Sequence, residues 1–153
     1  MAYKRILVPV DGSPTSNKGM QEAIRLAKSS RARLRLVHVV EQVIAFSAPE
    51  VAVNIGPILD SLRAAGRRRL AGIEGRARKS GVKPETALVE NFGMRVADAV
   101  IAQAKRWRAD LIVMGTHGRR GLQRALVGSD AELVVRYSPV PVLLVPPGGR
   151  RRR

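Results

Sequence analysis

The chain of 153 residues contains no cysteine. A disulfide framework and a thiolate metal site are therefore excluded, and a reducing compartment is compatible with the chain. Aromatic residues make up 3% of the sequence, with Trp107 the only tryptophan. The stacking platforms that single-strand nucleic-acid binders use are correspondingly scarce. No apolar run approaches the roughly 18 residues that a membrane-spanning helix needs. The patch from Val43 to Leu59 is broken by Glu50, Asn54, Pro49 and Pro57. The opening run "MAYKRILVPVDGS" is too short in apolar residues for a signal peptide, so a soluble, cytoplasmic protein is expected. Acids are also few: 12 Asp and Glu stand against 28 Lys and Arg, for a net charge of +16. Such a field attracts polyanions, whether nucleic acid, anionic membrane or phosphorylated small molecules.

What is present is a core. Hydrophobic residues are 45% of the chain, enough for one folded domain over residues 1–147. The end, "GGRRRR" (148–153), reads as a flexible basic tail, solvated or in contact with nucleic acid. "RILVPV" (Arg5–Val10) is apolar without alternation, as a strand buried on both faces should be. Ser13 followed by Pro14 predicts a helix N-cap and first turn, and Met20, Ala23, Ile24 and Ala27 continue at helical spacing. Ala32–Val40 predicts a second strand, and Glu41 to about Gly56 a long irregular connection. A basic helix is expected from about Pro57 to Ser80, weakened by Gly66, Gly72 and Gly75. Glu85–Glu90 predicts a third strand, and Ala97, Val100, Ile101 and Ala104 mark a helix ending near Arg108. "ADLIVMG" predicts a fourth strand, Ala131–Tyr137 a helix, and Val140–Val145 a fifth strand closed by Pro146 and Pro147.

Strands alternating with helices predict an α/β sandwich, a mostly parallel sheet with helices on both faces. Pro141 cannot donate to a sheet ladder, so the last strand is expected at an edge. An edge so apolar invites a covering partner subunit.

Two strand ends carry turns suited to a ligand. The first ends in Asp11-Gly12-Ser13, the fourth in Met114-Gly115-Thr116-His117-Gly118. In open α/β sheets, ligands sit beyond the carboxyl ends of strands where the strand order reverses. Glycines there let backbone N–H groups approach an anion, and a helix opening at Gly128-Ser129 offers further N–H groups. A ligand-free reading is also open. Ser129 with Glu132 fits a capping box, and Gly115 fits ordinary turn chemistry. Asp11 suits a ribose, a base, a divalent ion or the turn itself. His117 can meet phosphate or merely belong to a polar turn, and His38 reads as a core histidine. No P-loop, dinucleotide fingerprint, metal cluster or nucleophile–base pair is recognisable, so no catalytic residue is assigned.

Gly115, Gly118 and Gly128-Ser129 stand in the spacing GxxG-x9-G[ST]. With "ILVPVDGS" at the first strand and "SPVPVLLVP" at the last, the chain resembles the ATP-binding branch of the universal stress protein family from about Tyr3 to Pro146. The resemblance implies a three-layer Rossmann-like (adenine nucleotide alpha hydrolase-like) sandwich with a five-stranded parallel sheet in order 3-2-1-4-5. It implies adenine near Pro9, Val10, Asp11, Val39 and Val40. Ribose and phosphates would lie along Met114, Gly115, Gly118, Gly128 and Ser129, with Asp130 behind. The implied ligand is ATP with Mg2+ or Mn2+, and the implied assembly a homodimer through the edge strand Val140–Val145. The basic exterior and the arginine tail depart from the family's pattern, as do Gly19 inside the first helix and the glycines of the second. The function expected is a nucleotide-dependent regulator in stress response. A slow ATPase or self-phosphorylating enzyme is an alternative, as is a nucleic-acid or polyanion binder using the second helix and the tail.

Overall fold

The computed structural model describes residues 2–41, 55–91, 93–117 and 127–147. The long connection after the second strand, most of the bridge between Gly118 and Gly128, and the arginine tail lie outside the described residues. Five strands, β1 (Arg5–Pro9), β2 (Arg33–Glu41), β3 (Glu85–Asn91), β4 (Leu111–Gly115) and β5 (Val142–Val145), alternate with four helices. These are α1 (Pro14–Ser30), α2 (Ile55–Lys79), α3 (Val96–Trp107) and α4 (Ser129–Tyr137). All strand pairs are parallel, in the order β3-β2-β1-β4-β5.

Alternate strand residues build two cores. Ile6, Val8, Leu36 and Val113 meet α1 and α2 on one face. Leu7, Val37, Ile112 and Met114 meet α3 and α4 on the other. The central strands are covered twice, which is why β1 and β4 read as unbroken apolar runs; Ile6, Leu7, Val8, Ile112 and Val113 are wholly buried. β5 sits at the edge, where a strand preceded by Pro141 belongs.

The helix boundaries follow local chemistry. Ser13 caps α1, its Oγ accepting the Ser16 N–H at 3.2 Å, and Pro14 opens the helix. α2 begins at Ile55, earlier than expected, and runs 25 residues through its glycines. Burial of Leu70, Ile73 and Ala77 outweighs the propensity loss. The opening of α4 differs from a capping box. Gly128 is the N-cap and Ser129 the first helical residue, so the cap position carries no side-chain acceptor.

The end of the sheet opposite those turns is clamped by charge. Glu85 accepts from Arg33 Nε at 2.9 Å, Arg35 Nη2 at 2.7 Å and Trp107 Nε1 at 3.1 Å. Arg35 also lies 4.8 Å from the centre of the Trp107 ring. Desolvation pushes the Glu85 carboxyl up, but the bonds from Arg35 and Arg33 outweigh it and hold it below its ordinary range.

Gly19 and Gly115 explain how α1 reaches the end of β4. A Cβ on Gly115 would lie 2.8 Å from the Thr15 carbonyl carbon, and one on Gly19 would lie 3.1 Å from the Gly115 nitrogen. Backbone meets backbone, so no rotamer change can relieve either clash. Gly115→Ala is expected to lower stability by about 1–3 kcal/mol. Gly72→Ala, whose new methyl meets nothing within 4 Å, should raise it by about 0.5–1 kcal/mol. Thermal unfolding of the two variants checks this; a Gly115→Ala melting point equal to the parent's would mean that α1 does not need this contact.

Candidate functional site

β1 lies between β2 and β4, and the chain leaves β1 and β4 in opposite directions across the sheet. The crevice at their carboxyl ends is the switch point of a doubly wound sheet. Both glycine turns open there.

The first turn is built from its own side chains. Asp11 Oδ1 accepts the Ser13 N–H at 2.9 Å, and Ser16 Oγ accepts the Asp11 N–H at 3.2 Å. Gly12 takes φ +81°, the left-handed region, which lets the chain leave β1 and enter α1 within three residues. The Arg69 side chain of α2 lies alongside, its Cδ 3.5 Å from where a Gly12 Cβ would stand. Two helical turns on, Arg76 Nη2 donates to Asn17 Oδ1 at 3.0 Å.

The second turn is held across the sheet. Thr116 N–H donates to the Val145 carbonyl at 3.0 Å, and the Thr116 carbonyl accepts the Gly128 N–H at 2.7 Å. That bond places the start of α4 directly against the end of β4. Thr116 Oγ1 and His117 Nδ1 are 3.0 Å apart. Glu132 N–H returns to the Gly128 carbonyl at 2.9 Å, beginning the helical ladder. With no side-chain acceptor at the cap, the first-turn N–H groups of α4 remain suited to an outside acceptor. Asp130 and Glu132 already complement the helix dipole in the first turn.

The residues expected around adenine are arranged unequally. Pro9 and Asp11 are half-buried at the end of β1. Val10 is buried and its backbone is engaged: its N–H donates to the Val37 carbonyl at 2.8 Å, and its carbonyl accepts His38 Nδ1–H at 2.7 Å. His38 is thus a core histidine serving the neighbouring strand. Val40 packs against α2, its Cγ2 2.9 Å from where a Gly66 Cβ would stand, while Val39 joins the opposite core. Met114 is buried in that same core, and Gly115 has a packing reason independent of any ligand. Ser129 is exposed and Asp130 half-exposed at the helix opening. Gly118, Arg119, Arg120 and Arg124 lie outside the described residues.

Sequence reasoning missed Thr116 and Arg69. Thr116 sat within the noticed glycine turn, but only the β4–β5 pairing shows that its backbone joins three elements. Nothing near Arg69 in sequence points to Gly12.

A parallel sheet in this order, with glycine turns over the reversal, defines a doubly wound α/β protein. The chain belongs to the universal stress protein family, whose sequence profile matches residues 2–146. It is 36% identical over 143 residues to universal stress protein MJ0531 of Methanocaldococcus jannaschii, covering 94% of this chain and 82% of that one. Universal stress protein UspA from Lactobacillus plantarum superposes with a TM-score of 0.81 at 26% identity, over 95% of this chain and 99% of that one. A universal stress protein solved in complex with cAMP superposes with a TM-score of 0.68, also at 26% identity, over 97% of this chain and all of that one (100%).

Gly12→Ala should cost roughly 1–2 kcal/mol through the left-handed backbone alone. A urea midpoint unchanged from the parent would show that the turn tolerates a side chain and that the positive φ is not required.

Proposed function

We propose that the chain binds an adenine nucleotide, ATP in preference, in the crevice over β1 and β4, and that occupancy regulates a partner or a dimer in stress response. The observation that supports this most is the opening of α4. A glycine cap without a side-chain acceptor is drawn against the end of β4 by the 2.7 Å bond from Gly128 to Thr116. The backbone N–H groups of that first turn would then meet a phosphate held at the switch point. The relative in complex with cAMP makes an adenine nucleotide the natural ligand class. The GxxG-x9-G[ST] spacing supports a triphosphate, with Gly115, Gly118, Gly128 and Ser129 along ribose and phosphates and Asp130 behind.

The adenine would lie over Pro9, Asp11 and the backbone at Val39 and Val40. Val10 then serves by shape, since its N–H and carbonyl already have partners. Asp11 is the acid best placed for the ribose. Among the described residues no group of three or more His, Cys, Asp or Glu could hold a metal ion. A Mg2+ or Mn2+ ion would therefore depend on the phosphates for several of its ligands, with Asp11 or Asp130 adding one carboxylate. No helix among the described residues is long and apolar enough to cross a membrane, and a cytoplasmic setting suits a protein reading cellular nucleotide.

The test is chemical. Purified protein, denatured and assayed, should release adenine nucleotide, or stripped protein should gain stability with ATP. At about 100 times the dissociation constant the gain is roughly 2.7 kcal/mol. Gly118→Val, which puts a side chain where the motif brings phosphate, should abolish both. Neither release nor a melting shift at millimolar ATP would rule the nucleotide reading out.

The second element is a homodimer through β5. Leu143 is 36% exposed on this edge strand, and Tyr137 of α4 is 60% exposed. An apolar edge of this kind is protected by pairing. Leu143→Lys should convert a dimeric elution and sedimentation profile to a monomeric one. A parent protein that already sediments as a monomer at micromolar concentration would exclude this interface.

A further inference from the structure

Of the net charge of +16, α1 and α2 together carry +7, ten cations less three acids. These helices carry three and seven cations respectively, against one acid on α1 and two on α2. Each acid is already committed: Glu22 to Arg25, Asp60 to Arg63, and Glu74 to Arg78. Lys18, Lys28, Arg67, Arg68, Arg76 and Lys79 make no ion pair among the described residues. Arg67, Arg68 and Lys79 are exposed along α2, over roughly 18 Å of helix axis, while Arg76 on the side toward α1 is held by Asn17. The bulky apolar residues within that stretch, Leu70 and Ile73, are buried. Between the cations Ala71 and Gly72 are exposed and Gly75 is half-buried, and nothing lies within 4 Å of where the glycine side chains would stand.

We propose that this α2 face, with the adjoining edge of α1, binds the phosphate backbone of double-stranded nucleic acid without sequence preference. Charge complementarity carries the proposal. A duplex presents one negative charge per about 1.7 Å of axis, and a row of uncompensated cations releases its counterions. The remaining chemistry selects among polyanions. α1 and α2 contain no aromatic residue, so stacking on single-strand bases has no platform here. The face lacks exposed bulky apolar residues between Arg67 and Lys79, so insertion into a membrane interface has no anchor there. The flat glycine and alanine strip lets a sugar–phosphate chain lie close to the helix. This binding is independent of the nucleotide crevice, so Gly118→Val should leave it intact.

Fluorescence anisotropy with a short random-sequence DNA duplex, from about 50 to about 200 mM salt, is the test. Binding should fall linearly on logarithmic axes. The variant Arg67→Gln/Arg68→Gln/Lys79→Gln should reduce that slope by about 2–3 and shrink the loss across this salt range by about 40-fold. Arg67→Lys/Arg68→Lys, which keeps the charge, should keep the parent slope. The three side chains are exposed, so the neutral variant should melt with the parent. If it does not fold, Arg68→Gln/Lys79→Gln alone should reduce the slope by about 2. The proposal fails if the duplex does not bind, including the case in which phosphatidylserine vesicles do. It fails equally if the neutral variants keep the full slope while removal of residues 148–153 abolishes binding.

Discussion

The contact on which the rest of the structure depends is the backbone-to-backbone approach of α1 to the end of β4. Two glycines, Gly19 and Gly115, make it sterically possible. It seats the first turn of α1 on the strand beyond its own, so that α1 bridges β1 and β4 rather than covering β1 alone. The Asp11-Gly12-Ser13 turn and the Thr116-His117 turn are thereby brought to one crevice. Asp11, Ser13 and Ser16 bond within the first turn, while the Thr116 backbone ties the second to β5 and to the start of α4.

Charge is distributed by the same architecture. At the amino ends of the strands, arginines are neutralised by Glu85 and stacked on Trp107, where they tie β2, β3 and α3 together. At the carboxyl ends, α2 reaches over the first turn with Arg69 and grips α1 through Arg76. The outward face of α2 has no such employment. A cation row without matching acids raises the folded state's self-repulsion, a cost that an anionic partner would offset. The proposed nucleotide site and the proposed duplex surface thus occupy different sides of α2 and make separate electrostatic demands.

Much of the fold was legible in the sequence because burial on both faces leaves a distinctive mark. The unbroken runs at β1 and β4, the Ser13-Pro14 opening and the edge position announced by Pro141 all correspond to observed structure. Where local signals competed with packing, packing decided. Gly66 argued against a helix at α2, yet it allows the helix to lie against Val40, Leu88 and His38. Ser129 and Glu132 had the spacing of a capping box, but the bond from Gly128 N–H to Thr116 sets the helix start one residue earlier and leaves the cap to glycine. Gly19 was an anomaly in the sequence. Its reason lies at the end of β4, far away along the chain.

By itself, the sequence determined the alternation of elements, the parallel sheet, the glycine turns and the basic exterior. Each is written in residue type and local spacing, which act over a few residues. Only the tertiary structure decided which glycines serve packing, where Arg69 lies and which cations lack an acid. Those are questions of proximity between segments distant in sequence, and a one-dimensional pattern carries no distances across a sheet.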